Sequence, residues 1–474
     1  MAPRSLTRRE FLALMGSASA AIAAGDCFQS VLADAKPTAR RPNIVVIVAD
    51  DLGYGELGCY GHKEIPTPNI DSIATNGVKF TNGYVSCPVC SPTRAGLITG
   101  RYQQRFGHEQ NPGPPSNYDP RFGLPRSETT LATRLKSTGY TTGCVGKWHL
   151  GYDEGLRPLD RGFNEFFGHL AGGHPYLPTK RVPPQGPIMR NNKPVDEKEY
   201  LTDAFGREAV AFIDKHHAEP FFLYLAFNAV HTPMQVTDKY LKRFPSIQDE
   251  KRRKFAGMLS AMDDAVGKTL EALRRNKLEE NTLVFFIGDN GGPTGATTCK
   301  NDPLRAGKGQ VYEGGIRIPY LMQYKGHAPA GKTYDKPVIA LDIAPTSVAL
   351  AGGKATDAKF DGVDIMPYVT GKSGGVPHET LYWRYSPQWA IRKGDWKLLK
   401  MPGAKEVQLY NLSTDIAEKT DLASAKPDKV KELQADYDKW NAQLARPLWG
   451  YGSTERPDRP ARPGRKKANK PESE

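Results

Sequence analysis

The sequence predicts an α/β protein, with a large, mostly parallel sheet flanked by helices and a smaller antiparallel sheet near the C-terminus. Three observations predict it. Short apolar runs alternate with longer amphipathic segments, the pattern of strands joined by crossover helices. The main runs are largely apolar rather than alternating, as in strands covered on both faces. After about residue 375 the texture changes to short alternating segments separated by turn residues. At 474 residues the chain can support one large domain with a smaller one, or three ordinary domains, and its 38 prolines and 47 glycines imply many connecting loops.

Taken from the N-terminus, Thr7-Arg8-Arg9-Glu10-Phe11-Leu12 and the alanine-rich apolar stretch over 12–24 resemble a twin-arginine export signal. Ala33-Asp34-Ala35 offers a small-residue cleavage site, so a signal peptide over 1–35 is expected, with twin-arginine machinery as partner and a periplasmic or secreted product. Cys27 falls in the removed segment, and Asp26 before it argues against a lipoprotein. No later run reaches the ~18 apolar residues that span a bilayer, so no transmembrane segment is expected in the mature chain.

Strands are expected at 44–48 (IVVIV), 140–145, 221–227 (FFLYLAF) and 283–287 (LVFFI), and helices over 68–75, 129–136, 202–215 and 251–275. Alternating segments at 389–400 and 406–412 predict the small sheet, and a helix over 427–444 follows it. The glycine-rich stretch at 371–375 marks the expected boundary between a catalytic region over 36–375 and a C-terminal sheet-plus-helix subdomain over 376–450. The remaining 451–474 reads as a disordered basic tail. Its last twenty residues hold seven basic and four acidic groups and so supply only +3 of the net +13. The rest of that charge is spread without a nucleic-acid-binding signature, and a polyanionic substrate fits it.

In open α/β sheets ligands bind beyond the carboxyl ends of the strands. Here the first strand runs into Asp50-Asp51, the 140s strand into Lys147-Trp148-His149, the 220s strand into His231, and the 280s strand into Asp289-Asn290. Any one of these acids could cap a helix. Together they form an oxygen-only donor set that calcium prefers, with magnesium next and zinc disfavoured. The mature cysteines, Cys59, Cys87, Cys90, Cys144 and Cys299, are an odd set for a disulfide framework. Cys87 and Cys90 read alone as a CxxC redox pair. Their sequel argues otherwise, because Ser91 suits an N-cap, Pro92 the first helical position and Gly100 the stop. Cys90 then sits just ahead of an anion-attracting helix N-terminus with Arg94 in the first turn. Lys147 and His149, two apart on an extended segment, are expected to face one side.

Cys90-Ser91-Pro92-Thr93-Arg94, continued by Ala95-Gly96-Leu97-Ile98-Thr99-Gly100, resembles the signature of the formylglycine-dependent type I sulfatases of the alkaline phosphatase superfamily, such as the arylsulfatases and N-acetylgalactosamine-6-sulfatases. The resemblance runs from about residue 42 to 448 through VADDLGYGELGCYG, GKWHLG, NAVHTP, GDNGG, GKGQVYEGGIRIP and LYNLSTDIAEKTDLA, in that family's order. It implies an alkaline-phosphatase-like mixed sheet and a sulfatase acting on a sulfated carbohydrate or another sulfate ester. Cys90 would be oxidised to formylglycine by a maturation enzyme, and one Ca2+ per chain would be held by Asp50, Asp51, Asp289 and Asn290 with residue 90. Arg94, Lys147, His149, His231 and Lys308 would surround the sulfate, His231 as general acid with Lys308 its possible partner and His149 as base. His169, His174, Tyr176, Arg305 and Trp389 are candidate selectivity groups. The rivals are a phosphodiesterase or phosphonate monoester hydrolase of the same superfamily, against which Asn290 in place of a histidine argues, and a noncatalytic polyanion-binding protein.

Overall fold

A computed structural model describes residues 41–113, 119, 122–353 and 359–453. The expected export segment over 1–35, and the expected tail from 454 onward, lie outside the described residues. Ten strands make the large sheet, and two short ones pair beside it. In chain order these are β1 (Asn43–Ala49), β2 (Val78–Phe80), β3 (Gly83–Tyr84), β4 (Thr141–Lys147), β5 (Glu165–His169) and β6 (Ile188–Arg190). They continue with β7 (Lys193–Val195), β8 (Phe221–Ala226), β9 (Thr282–Gly288), β10 (Tyr320–Gln323), β11 (Lys332–Tyr334) and β12 (Val338–Ile339). The order across the large sheet is β11-β2-β10-β9-β1-β8-β4-β5-β6-β7, with β3 and β12 forming the separate pair. The five central strands, β9-β1-β8-β4-β5, are all parallel. Because β10 runs antiparallel to both its neighbours, the sheet is mixed.

The continuous apolar runs become strands because both faces of the sheet are covered. Every residue of β1 is buried. Ile44, Val46 and Val48 point into one core layer, and Val45, Ile47 and Ala49 into the other. Among the described residues, the helices of seven or more residues are α1 (Pro68–Thr75), α2 (Cys90–Thr99), α3 (Leu131–Ser137), α4 (Leu201–His216), α5 (Glu250–Arg275), α6 (Ile343–Leu350) and α7 (Pro427–Asn441). The second layer receives α1, α4 and α5, and the first receives α2, α3 and α6. Phe255, Leu259, Met262, Val266, Leu270 and Leu273 recur at three- and four-residue steps along α5, so one face of that helix is buried through its whole length.

Four antiparallel strands, β13 (Thr380–Tyr385), β14 (Gln388–Lys393), β15 (Trp396–Lys400) and β16 (Gln408–Asn411), form the second sheet. The alternating stretch at 389–400 is two strands of a hairpin. Lys393 pairs with Trp396, and Gly394 takes the left-handed conformation (φ 57°) that the two-residue turn requires. This sheet packs onto the first core layer through Leu381, Trp383, Ile391 and Leu398, and the Trp383 indole donates to the Val85 carbonyl at 2.6 Å. A buried ion cluster reinforces the junction: Lys397 on β15 meets Glu313 and Glu418, each at 2.8 Å.

Candidate functional site

The register of the central strands brings the site together. Ala49 lies opposite Gly288, so Asp50-Asp51 and Asp289-Asn290 leave the sheet side by side. Asp51 adopts the left-handed conformation (φ 60°), and its N–H donates to Asp289 Oδ1 at 3.1 Å. Residue 90 comes to these acids from α2, which begins at Cys90 after an extended Val89. The expectation that Ser91 caps this helix is therefore corrected. Ser91 lies inside the helix, donates its hydroxyl to the His149 carbonyl at 2.6 Å, and accepts from His108 Nε2 at 2.7 Å. Arg94 falls one turn beyond Cys90, on the same face. Gly100 ends the helix in the left-handed conformation, as its position predicts.

Cys90 Sγ lies 3.4 Å from Asp50 Oδ1 and 4.0 Å from Asp51 Oδ1. One ligand atom from each of Asp50, Asp51, Cys90 and Asp289 fits within a 4.8 Å span, and all four residues are buried. Three cations enclose the acids. Arg94 bonds Asp289 Oδ2 through Nε (3.0 Å) and Nη2 (2.8 Å), Lys147 Nζ meets Asp50 at 2.7 Å, and Lys308 Nζ meets Asp51 at 2.7 Å. Asn290 Nδ2 donates to Asp51 Oδ1 at 2.7 Å, while Asn290 Oδ1 is buried without a hydrogen-bond partner.

His149 and His231 line one cavity of about 530 Å3 with Cys90 and Lys308. The expectation that Lys147 and His149 share a side through strand alternation needs a different cause. The extended segment ends at Lys147, and His149 turns toward the site by taking φ 58°. Burial first, then the charges of Lys147 and Arg94, push the His149 imidazole well below its ordinary pKa, and its Nδ1 has no partner. His231 Nδ1 contacts the Thr232 carbonyl at 2.6 Å, which can only accept, so Nδ1 carries a proton and Nε2 faces Asp51 at 3.7 Å. Burial would raise the Asp289 carboxyl, but Arg94 and Lys147 outweigh it and hold it below the usual range. Both Cys90 and Cys87 are free, and burial pushes both thiols up. A redox pair needs the opposite shift.

Of the five selectivity candidates, only His174 lines this cavity. His169 is fully buried, with Nδ1 against the Ala171 carbonyl at 3.0 Å. Tyr176 braces the loop of His231 instead, its hydroxyl donating to the His231 carbonyl at 2.7 Å. Arg305 is held by the Glu418 carbonyl at 2.6 Å, and Trp389 stacks on Tyr437 at 4.2 Å. Four residues at the site are not among those predicted from the sequence patterns. A Cβ on Gly172 would lie 2.5 Å from His149 Nε2, and one on Gly173 3.3 Å from the His231 ring, so this pair lets the backbone lie against both imidazoles. Gly172-Gly173 follows β5 at the ligand-bearing edge, which was a usable signal. Asn111 accepts from the Ser91 N–H at 3.0 Å and lines the cavity. From β14, Gln388 donates to the Gly309 carbonyl (2.7 Å) and accepts from Val311 N–H (2.9 Å), bracing the loop that carries Lys308.

A mixed, mostly parallel sheet with carboxylates at its strand ends, a cysteine at a helix start beside them, and cations around it is the arrangement of a hydrolase of the alkaline phosphatase superfamily. The particular family is the sulfatases, and the chain belongs to it: the Sulfatase family model matches residues 42–353, and that of the N-sulphoglucosamine sulphohydrolase C-terminal region matches 307–445. Human arylsulfatase A is 36% identical over 401 residues, covering 77% of this chain and 76% of that protein. N-acetylgalactosamine-6-sulfatase of Rattus norvegicus is 35% identical over 382 residues, covering 75% and 71%. Among solved structures, Ps i-CgsB in complex with k-i-k-neocarrahexaose is 39% identical with a TM-score of 0.82, covering 88% of this chain and 96% of that one. The phosphonate monoester hydrolase of Agrobacterium radiobacter, at 21% identity and a TM-score of 0.63, shares the fold. The chain is a sulfatase, a hydrolase of sulfuric esters.

Proposed function

We propose that this sulfatase removes sulfate from a sulfated galactan of the carrageenan type, using a formylglycine made from Cys90 and one calcium ion. The observation that carries the catalytic part is the buried cluster of Asp50, Asp51, Asp289 and Cys90, with an unpartnered amide oxygen on Asn290 beside it. This donor set fits calcium, since it offers hard oxygens and one acceptor whose burial has no other compensation. Asp50, Asp51, Asp289, Asn290 and residue 90 would hold the ion, which would supply a fixed double charge facing the sulfate oxygens. The three carboxylates are balanced by Arg94, Lys147 and Lys308, so a divalent ion makes the site net positive, as an anionic ester requires.

Formylglycine would supply, as its hydrate, one hydroxyl to take up the sulfuryl group and a second whose deprotonation expels sulfate. Arg94, Lys147 and Lys308 hold sulfate oxygens and stabilise the charge that builds up on them. His231, partly open to the cavity, gives a proton from Nε2 to the departing alcohol, with Lys308 beside it. His149, kept neutral by its surroundings, offers a lone pair to take the hydroxyl proton. For the substrate, support comes from the 39% identical relative bound to neocarrahexaose. The proposal includes an export segment over 1–35, a catalytic region over 36–375 and a subdomain over 376–450; among the described residues no helix is long and apolar enough to cross a membrane.

Mass analysis of the residue-90 peptide from the native host, with calcium analysis of the same protein, tests the machinery. Sulfur retained at residue 90 in fully active enzyme would overturn it. A desulfation screen over defined sulfated galactans and glycosaminoglycan fragments tests the substrate, and comparing sulfate with phosphate esters of one phenol tests the phosphohydrolase rival.

A further inference from the structure

A second cavity, of about 450 Å3, adjoins the catalytic one, and His174 lines both. It is built almost wholly by the segment between β5 and α4, whose regular structure is only the short β6-β7 hairpin. Connections of that length inside an α/β domain are commonly binding loops. The wall between the two cavities is pinned, because the His174 ring touches the Pro175 carbonyl at 2.7 Å and the Gly186 carbonyl at 3.2 Å.

Its charges are unevenly satisfied. Of the acids at this cavity, Asp196 pairs with Lys198 at 2.5 Å, Glu197 with Arg207 at 2.7 Å, and Glu199 also with Arg207. Lys180 and Arg181 line the same cavity, are exposed, and form no ion pair among the described residues. Beside them stand Leu177 and Val182, 39% and 67% exposed, two of the four large apolar side chains so placed among the described residues. Unpaired cations next to exposed apolar groups, one imidazole away from the reacting centre, match one class of ligand: a sugar ring that offers C–H faces and carries its own sulfate.

We propose that this cavity is a subsite for a neighbouring sulfated sugar of the same chain, with Lys180 and Arg181 receiving its sulfate, so that the enzyme prefers multiply sulfated oligosaccharides over single sulfated units. This rests on the reading of the protein as a sulfatase of a sulfated polymer, but on the charge of that polymer rather than its galactan backbone.

The test uses hydrolysis of an aryl sulfate, too small to reach the second cavity, and measures its inhibition by sulfated disaccharides and hexasaccharides of galactan and of glycosaminoglycan type. With the wild-type protein, hexasaccharides of the preferred backbone should inhibit more strongly than disaccharides. In the Lys180→Ala/Arg181→Ala double variant, kcat and KM for the aryl sulfate should be unchanged, while the hexasaccharide inhibition constant rises about 5- to 10-fold. That rise should shrink as salt is added. If the variant keeps the wild-type inhibition constants for every hexasaccharide, or wild-type inhibition does not depend on length, the subsite is refuted. If only the glycosaminoglycan series shows the length dependence and its loss, the galactan assignment fails and the subsite stands.

Discussion

At the end of β9 the Asn290 amide is satisfied on one side only, its Nδ2 donating to Asp51 and Gly291 while Oδ1 stays buried and unpaired. Leaving such an acceptor unmet costs about 1–3 kcal/mol, a cost that the proposed calcium ion would offset. Replacing Asn290 by Ala should therefore raise the calcium concentration for half-maximal activity by about tenfold or more, read from a metal titration of chelator-treated enzyme. The nucleophile proposed at residue 90 gives a sharper test. A Cys90→Ser variant should release at most one equivalent of phenol from an aryl sulfate and gain the mass of one sulfuryl group, because a lone hydroxyl has no second oxygen to expel sulfate. Repeated turnover by that variant would refute the diol chemistry. His231→Ala should cost on the order of 10²- to 10⁴-fold in kcat, with a smaller loss for a phenol that leaves without help. Equal losses for aryl and alkyl esters would remove His231 from the acid role.

Among the elements, the loop carrying Lys308 depends on a strand far away in the chain. Gln388 of β14 holds the loop at Gly309 and Val311, so Gln388→Ala frees the ammonium to wander from Asp51. It should lower kcat by about tenfold and do so more for alkyl than for aryl sulfates, the same leaving-group pattern as Lys308→Ala. A uniform loss across leaving groups would mean general destabilisation instead. Nothing near Gln388 in sequence announces this task, because its partners lie nearly eighty residues away. By contrast β1, β8 and β9 are legible, since burial on both faces demands apolar runs, β4 is legible as a largely apolar segment without alternation, and the expected helix over 68–75 matches the bounds of α1. In the large sheet and the pair beside it, the strands of two to four residues, β2, β3, β6, β7 and β10 to β12, are too short to show a period. The acids, Arg94, Lys147 and the two histidines were legible as polar groups directly after strands or within a helix turn of Cys90. Ser91 was misassigned because its hydroxyl serves a tertiary contact rather than the helix end.

For the molecule as a whole, the small sheet is tied to the large one by charges held out of water as well as by Trp383 and its neighbours. A largely buried pair just outside the two sheets, His378 before β13 and Asp342 before α6, has a pH signature. Burial disfavours the charged form of His378, but Asp342, 2.7 Å away, outweighs it and raises the pKa above the ordinary histidine value. The folded state thus holds this proton more tightly than the unfolded chain. Its stabilisation is complete below the unfolded value of about 6.5 and is lost as pH rises through the folded value. The melting temperature should therefore fall on going from slightly acid to mildly alkaline solution, and His378→Gln should flatten that slope; an unchanged slope would assign the decline to other groups.

The 1% exposure of Cys90 sets an order of events. If residue 90 becomes the formylglycine proposed above, a modifying protein would have to reach it before α2 docks, so oxidation and folding would compete for the nascent chain. On that proposal, a molecule that folds early would be an idle copy with the native shape. Slowing folding, by growth in the cold or with a destabilised α2, should increase the activity per molecule, whereas supplying the oxidising enzyme to purified folded protein should add nothing.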